Sequence, residues 1–493
     1  MNEPTIFEFM YEDYKIKKPI RLIEFFAGYG SQSLALKYLG VDFTHWKICE
    51  WAIKSIQAYK DIHFTDVDND FSFTFDLDEI KDFLLKKGIS SNYNEPMNEK
   101  QIKRMSEKQA RTIFNNIIAT NNLVNIQQVK GKDLEIKDTD KYTYLLTYSF
   151  PCQDLSLAGK GKGMSDTSTR SGMLWEVERI LSECKELGTM PEVLLMENVP
   201  QVHGTNNVQD FNKWRIRLEE LGYNNYFEDL IATDYGIPQT RNRCFMVSVL
   251  GDYNYTFPPK QELKLRLKDM LEDNVDEKYY LSDKQIEDIR HWNTYEKPLE
   301  NMEKIDKTNV SPTLTTRSGA YAAGMVLVKA NMKTNLCNHL IKEGKVKEND
   351  VIRHSYTTSR INGEMKDLKQ NNISPTLDTR CDCLGVCVKQ KDVVTIGNYS
   401  PSGHNASRIV DKEYSAPTVM ENHGTITATQ TSDLRIRKLT PKECFRLQGV
   451  KDEDFENCAK NQSDASLYHL AGDSICVNVL MAIFKMMLKG SDK

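Results

Sequence analysis

The chain has 493 residues, in which 65 lysines and arginines face 70 aspartates and glutamates, for a net charge of −5. Hydrophobic residues make up 40% and charged residues 27%, a balance that excludes a mainly disordered or low-complexity protein. Taken alone, the slightly acidic charge argues against a nucleic-acid partner.

Sequence features that indicate cellular location point to the cytoplasm. The longest apolar runs, such as residues 475–483, are shorter than the roughly 20 residues that cross a bilayer. Residues 1–18 contain no basic segment followed by an apolar one, so we predict no secretory signal. Eleven cysteines without regular spacing then indicate reduced thiols. We expect a cytoplasmic protein without a membrane partner.

Strand and helix patterns alternate in the first half of the chain. The predicted strands cover residues 20–26, 45–49, 142–148, 192–196 and 244–250, and the predicted helices cover 33–39, 51–59, 173–187 and 212–221. This alternation predicts an α/β fold with a doubly wound, mostly parallel sheet. Helical periodicity returns at 441–447 and 477–488.

Two segments interrupt the alternation. Residues 66–130 are polar and mostly helical in pattern, and residues 256–430 are rich in strands and turns. The second segment contains a repeat, because Val310–Arg317 recurs as Ile373–Arg380 with six identities in eight positions. A weaker third copy lies at 415–419, so we predict three related strand–turn modules.

A glycine turn follows the first predicted strand. Gly28 and Gly30 allow backbone N–H groups to approach a ligand at the start of a helix, where negative charge is favoured. Glu50 ends the second strand, where a carboxylate can accept both hydroxyls of a ribose. These features favour a nucleoside-containing cofactor, although a tight turn of any α/β domain explains the glycines equally well.

Three further groups follow other strands at the same predicted sheet edge. Cys152 comes after Pro151, which stiffens its loop, and Glu197 ends the next strand. A thiol and a carboxyl group that meet there make a nucleophile and an acid partner. Arg241 and Arg243, spaced i and i+2, suit recognition of an anion or a base edge. Taken singly, Cys152 is as well explained as a small buried hydrophobe.

The order of these motifs resembles the DNA (cytosine-5) methyltransferase family over residues 20–255 and 435–490. Ser149–Gln153 matches the catalytic motif of the family, and Glu197-Asn198-Val199 and Gln239-x-Arg241-x-Arg243 match later signatures. The resemblance implies a Rossmann-like domain that uses S-adenosylmethionine. It implies that the cofactor-binding residues are Phe26, Gly28, Gly30, Glu50, Trp51, Asp133, Leu134, Pro151, Leu174, Asp473 and Ser474.

The resemblance also implies a mechanism. The Cys152 thiolate attacks carbon 6 of cytosine, which makes carbon 5 nucleophilic enough to take a methyl group. Glu197 supports ring nitrogen 3, Arg243 holds the oxygen at position 2, and Arg241 with Arg243 favours the thiolate. Because the target carbon lies inside the duplex, the base must be flipped out.

DNA contacts are expected from a loop and from the repeats. The glycines and lysines of 159–163 suggest a mobile lid over the flipped base, with a merely solvated loop as the alternative. The repeats place arginines where they could read guanine, or else form structural turns. The predicted DNA-binding residues are Gln153, Ser156, Lys160, Lys162, Gln239, Arg317 and Arg380.

We therefore predict three parts: a catalytic and cofactor-binding domain at 1–255, a strand-rich target-recognition domain at 256–455, and a segment at 456–493 that returns to the first domain. The insertion at 66–130 is either a basic arm that contacts DNA or a helical hairpin with a solvated face. Cys381, Cys383 and Cys387 lack a fourth ligand, so no metal is expected.

The prediction is a monomeric enzyme that makes 5-methylcytosine in a specific double-stranded DNA sequence, related to restriction–modification and linked functionally, not physically, to any cognate nuclease. Three alternatives stay open: the same chemistry on tRNA, a catalytically silent DNA-binding regulator, and a Rossmann oxidoreductase. The strand-rich segment disfavours the first, the intact Cys152, Glu197 and Arg243 disfavour the second, and the incomplete glycine pattern disfavours the third.

Overall fold

The computed structural model describes residues 11–151, 171–279 and 439–488, together with six short strands between residues 351 and 438. The chain divides into two compact units. The first comprises Met1–Leu265, Thr418–His423 and Pro441–Lys493, and the second comprises Arg266–Pro417 and Gly424–Thr440.

The first unit is built on a six-stranded sheet with the order β2-β1-β3-β4-β6-β5. Its strands are β1 (Ile20–Phe25), β2 (Phe43–Cys49), β3 (Thr143–Tyr148), β4 (Val193–Asn198), β5 (Tyr223–Ile231) and β6 (Asn242–Leu250). Strands β1 to β4 pair in parallel, whereas β6 runs antiparallel to both β4 and β5. The predicted α/β class with a mostly parallel sheet is confirmed.

Helices surround this sheet. Those in the described part of the chain are α1 (Ser31–Tyr38), α2 (Ile53–His63), α3 (Leu77–Lys87), α4 (Glu99–Lys103), α5 (Glu107–Ala119), α6 (Leu174–Leu187), α7 (Val208–Leu221), α8 (Pro441–Arg446), α9 (Asp452–Ala459), α10 (Asp464–Asp473) and α11 (Val477–Met487). Every residue of β3 and β4 is buried, which explains why these strands read as continuous apolar runs.

The sequence analysis did not predict three elements of the first unit, which are β5, α9 and α10. Strand β5 is one of the two edge strands, and its residues 227–229 are exposed and include two acids, so the apolar signal is weak. The helices α9 and α10 also lie outside the predicted elements. Within the insertion, residues 98–119 form two helices and not one, because Ser106 caps a new helix by accepting a hydrogen bond from the backbone N–H of Gln109.

The insertion forms a small helical layer with a core of its own. Apolar residues of α3, α4 and α5 pack together, among them Leu84, Ile102 and Phe114. Two of its basic side chains are paired locally, since Lys103 forms an ion pair with Glu99 and Arg111 donates to the Ser72 carbonyl at 2.8 Å. The insertion is therefore helical, as predicted.

The C-terminal helices complete the first unit. Helix α11 packs against α1, which follows the first strand. The stretch Asp464–Met487 is apolar enough over 24 residues to match a membrane span, but 72% of its most apolar window is buried inside the fold. A core helix has the same character, so the match is weak evidence for a membrane span.

The second unit is described here only through short strands. They are β7 (Val351–Arg353), β8 (Leu384–Val386), β9 (Thr395–Asn398), β10 (Arg408–Val410), β11 (Ala428–Gln430) and β12 (Ile436–Lys438). Strands β7 and β8 form one antiparallel pair, and the others form a sheet in the order β12-β11-β10-β9. The predicted recognition role of this region stays a prediction.

Gly30 at the start of α1 generates a stability prediction. It has a φ of +84°, and a Cβ built there would lie 2.7 Å from Tyr59 Cε2 and against His63 Nε2. Gly40 has a similar φ of +66° but open space around it, so it is a matched control. We expect Gly40→Ala to lower the free energy of unfolding by about 1 kcal/mol and Gly30→Ala by roughly 2–4 kcal/mol. Urea unfolding measures both, and equal losses would contradict the steric explanation.

Candidate active site

A cavity of about 800 Å³ opens at one edge of the six-stranded sheet. Its walls include the turn after β1, the residues after β2 and β3, the end of β4 and the start of β6. The volume lies within the range typical of ligand pockets. Among the predicted site residues, the lining contains Phe26, Gly28, Glu50, Trp51, Pro151, Glu197, Arg241, Arg243, Asp473 and Ser474.

Glu50 joins the glycine turn to the second strand. Its carboxylate accepts hydrogen bonds from the backbone N–H of Gly28 at 2.9 Å and of Ala52 at 2.7 Å. Gly28 has a φ of +55°, which is the left-handed region that glycine tolerates. Burial raises the pKa of Glu50 to about 7, although the two backbone donors oppose that rise. The turn and the carboxylate thus form one wall of the cavity.

A second buried carboxyl group supports the same turn from behind. Glu24 on β1 is fully buried and accepts hydrogen bonds from the hydroxyls of Ser33 and Tyr59. His45 lies 3.0 Å from the Tyr59 hydroxyl. Burial raises the pKa of Glu24 to about 7 and lowers that of His45 to about 4, so this cluster favours uncharged groups.

At the other side of the cavity, Glu197 meets two partners. Arg243 Nε lies 3.1 Å from its Oε1, and the Ser149 hydroxyl donates to its Oε2 at 2.5 Å. The next residue, Asn198, donates through its amide to the Phe150 carbonyl at 3.0 Å. These contacts tie the end of β4 to the segment that leads into Pro151. The carboxyl group of Glu197 is therefore held in one orientation.

Arg241 connects the start of β6 to the C-terminal helices. It is 4% exposed, and its Nη2 donates to the Ser474 carbonyl at 2.6 Å. Burial lowers the pKa of Arg241 to about 10, and the neighbouring charge of Arg243 acts in the same direction. Arg241 thus lines the cavity and also holds residues 473–475 against it.

Five residues of the predicted site have other surroundings in the structure. Gln239, predicted to touch DNA, is fully buried, and its amide donates to the Leu447 carbonyl at 2.5 Å. Leu134 and Leu174 lie in the hydrophobic core away from the cavity lining. Asp133 accepts from the backbone N–H of Lys130 at 2.9 Å, and Gly30 packs against His63. None of these five residues lines the cavity, and their predicted contacts stay predictions.

Other residues occupy the wall where those were expected. Val124–Gln127 and Met173 line the cavity, just upstream of the predicted Asp133-Leu134 and Leu174. Asn125 begins a short helical turn by accepting from the backbone N–H of Gln127 at 3.1 Å. The insertion contributes Tyr93–Pro96, and α10 contributes His469. Tyr93–Pro96 and His469 belong to no motif of the sequence analysis, so no sequence signal pointed to them.

The remaining predicted residues lie outside the described part of the chain. They are the nucleophile Cys152, the lid residues 159–163, and the DNA-binding residues Gln153, Ser156, Lys160, Lys162, Arg317 and Arg380. Their assignments stay predictions. Pro151, which directly precedes Cys152, lies in the cavity lining.

Comparison with known proteins identifies relatives of this chain. The family model for C-5 cytosine-specific DNA methylase matches residues 88–489. Type II methyltransferase M2.ScrFI of Lactococcus lactis subsp. cremoris is 37% identical over 274 residues, which are 55% of this chain and 72% of that protein. Orphan methyltransferase M.SssI of Spiroplasma monobiae is 36% identical over 276 residues, which are 54% of this chain and 68% of that protein.

The crystal structure of S. pombe Dnmt2 methyltransferase is also similar to this structure. It shares 14% identity, with a TM-score of 0.49 over 97% of this chain and all of that one. The family assignment rests on the sequence matches alone.

Glu24 generates a prediction about pH. Because its pKa is raised from 4.5 to about 7, its contribution to stability is complete below pH 4.5 and lost as the pH rises through 7. We expect the wild type to lose about 2–3 kcal/mol relative to Glu24→Gln between about pH 5 and pH 8. Urea unfolding of both proteins across this range measures the difference, in which the similar titration of Glu50 cancels. A constant difference would show that Glu24 does not titrate there.

Proposed function

The chain belongs to the C-5 cytosine-specific DNA methylase family, and from that premise we propose that it transfers a methyl group from S-adenosylmethionine to a flipped-out cytosine in a specific duplex sequence. It is a DNA cytosine methyltransferase. The names of its relatives, type II and orphan methyltransferases, support a link to restriction–modification. A cognate nuclease and a monomeric state stay predictions.

One observation supports this proposal: the strand order separates the residues proposed to bind the nucleoside from those proposed to bind the base. We call the part of the cavity with Gly28 and Glu50 the nucleoside side, and the part with Glu197 and Arg243 the base side. Glu50 and Gly28 follow β2 and β1, whereas Glu197 and Arg243 belong to β4 and β6. Neighbouring strands lie about 4.8 Å apart, so the four steps from β2 to β6 span about 19 Å. That distance accommodates a nucleoside cofactor and a base side by side. Cys152 directly follows Pro151 after β3, the strand between them.

The groups on the nucleoside side fit S-adenosylmethionine. The carboxylate of Glu50 can accept from ribose hydroxyls, and the rings of Phe26 and Trp51 line the same cavity near Gly28. When bound, this cofactor supplies a methyl group on an electrophilic sulfonium. The chain has to hold the nucleoside and exclude water, which a deep cavity with aromatic walls achieves.

The groups on the base side fit a cytosine ring. Glu197 is proposed to hydrogen-bond ring nitrogen 3, where charge develops once the Cys152 thiolate adds to carbon 6. Its orientation is already determined by Arg243 and Ser149, so little reorganisation is needed when the base arrives. Arg243 is proposed to reach the oxygen at position 2 as well. After methyl transfer the proton at carbon 5 leaves to a base, and the Cys152 sulfur is eliminated from carbon 6.

Bisulfite sequencing of DNA from cells that express the protein tests the proposed reaction. We expect protected cytosines in one sequence context. Incorporation of labelled methyl groups into purified DNA and into tRNA, measured in parallel, separates the two substrates. Label in tRNA alone would overturn the proposal.

The proposed nucleophile gives a direct prediction. Cys152→Ser is expected to lower methyl transfer by more than about a thousandfold, because a hydroxyl is a far weaker nucleophile than a thiolate. Binding of S-adenosylhomocysteine, measured by calorimetry, should stay within about twofold, since the cofactor wall is unchanged. Near wild-type turnover would exclude Cys152 as the nucleophile.

The raised pKa of Glu50 leads us to predict that cofactor binding depends on pH. Its ionised form accepts ribose hydroxyls better than its protonated form, and its pKa is about 7. The affinity for S-adenosylhomocysteine should therefore rise about tenfold between about pH 6 and pH 8. In Glu50→Gln the affinity should be lower and independent of pH over the same range. A pH profile that persists in this variant would assign the titration to another group.

A further inference from the structure

We infer that the insertion serves the cofactor site: its loop Ser90–Pro96 is a preformed wall of the cavity, and Tyr93 binds the adenosine end of the cofactor. The inference rests on the proposed function. Four consecutive residues of the loop, Tyr93–Pro96, line the cavity together with Glu50 and Trp51. This placement gives the insertion a position from which it can contact a bound ligand.

The loop is attached to the nucleoside side of the cavity. Backbone hydrogen bonds run both ways, from Ser90 N–H to the Trp51 carbonyl at 2.8 Å and from Ile53 N–H to the Ser90 carbonyl at 2.9 Å. Trp51 directly follows Glu50, the residue proposed to bind the ribose. The first residue of the loop is therefore hydrogen-bonded to the neighbour of Glu50. Glu197 belongs to β4, which β1 and β3 separate from β2 in the sheet.

Internal hydrogen bonds hold the loop in shape. The Asn92 side-chain oxygen accepts from the backbone N–H of Asn94 at 3.0 Å and of Glu95 at 3.2 Å. The Ser90 hydroxyl donates to the Glu95 carbonyl at 2.8 Å, and Met97 N–H donates to the Ile89 carbonyl at 2.8 Å. Tyr93 lies at the tip with a φ of 63°. A wall that is ordered in advance loses less entropy when a ligand binds.

Tyr93 meets the C-terminal part of the chain across the cavity. Its ring packs against that of His469 with centroids 3.9 Å apart and an interplanar angle of 41°, and His469 is 5% exposed. His469 belongs to α10, whose last residue is Asp473, another residue of the cavity lining. The Tyr93–His469 pair therefore joins the loop to α10 at the cavity wall.

The chemistry of this wall suits a purine nucleoside. Three aromatic side chains, Phe26, Trp51 and Tyr93, line one cavity, and adenine presents a flat face that stacks on aromatic rings. Stacking of a base on an aromatic side chain is typically worth about 5- to 150-fold in affinity. The helical core of the insertion explains how such a loop is held, because α3, α4 and α5 pack into a cluster that also includes Trp51 and Ile53.

Calorimetry with S-adenosylhomocysteine and the full-length protein tests the inference. We expect Tyr93→Ala and Tyr93→Leu to weaken binding by about tenfold and Tyr93→Phe to bind within about threefold of the wild type, because the phenyl ring preserves the stack. Phe73→Ala is the control, since Phe73 lies in the same insertion and is 77% exposed. It should bind like the wild type.

Steady-state kinetics on plasmid DNA provides the second readout. The KM for S-adenosylmethionine should rise in Tyr93→Ala and Tyr93→Leu, with kcat at saturating cofactor kept within about twofold. Wild-type affinity in both variants would overturn the inference and leave the proposed function intact. A wild-type protein that binds no S-adenosylhomocysteine would overturn the proposed function, and this inference with it.

Discussion

The direction of the strands is the constraint on which the site depends. Parallel strands β1 to β4 end at one edge of the sheet, and only an antiparallel β6 can begin at that same edge. Arg243, near the start of β6, consequently reaches Glu197 near the end of β4. In a parallel orientation the nine residues of β6 would carry this arginine about 25–30 Å away. A change in strand direction thus creates the base side of the cavity.

Buried polar groups then hold the ends of these strands close enough together for their side chains to line one cavity. Glu50 ties the turn after β1 to the end of β2, Ser149 ties the segment after β3 to β4, and Arg241 ties β6 to the C-terminal helices. Burying a charge is unfavourable unless hydrogen bonds compensate for lost water, and each of these groups has a partner. The raised pKa values of Glu24 and Glu50 are consequences of that burial.

The sequence predicted best where a motif adjoins a strand. Glu50, Glu197 and Arg243 line one cavity, because strand direction alone brings such residues to one edge of the sheet. Their chemical roles stay predictions. Gln239 and Asp133, predicted as ligand contacts, form hydrogen bonds within the fold, because which partner a polar side chain near a strand meets depends on packing that a motif does not encode. Tyr93 had no signal, because its place in the cavity depends on how an inserted helical layer folds back onto β2.

The C-terminal helices have a consequence for how the protein is made. All six strands of the sheet are contained in Met1–Leu265, yet His469, Asp473 and Ser474 come from near the other end of the chain. A nascent chain that has just released β6 from the ribosome has every strand of the sheet but an unfinished cavity, with the surface of α1 that α11 will cover still exposed. Such long sequence separation slows folding and favours chaperone contact during synthesis. The proposed cofactor binding would accordingly require synthesis of the chain at least through Ser474, and catalysis would be withheld from shorter translation intermediates.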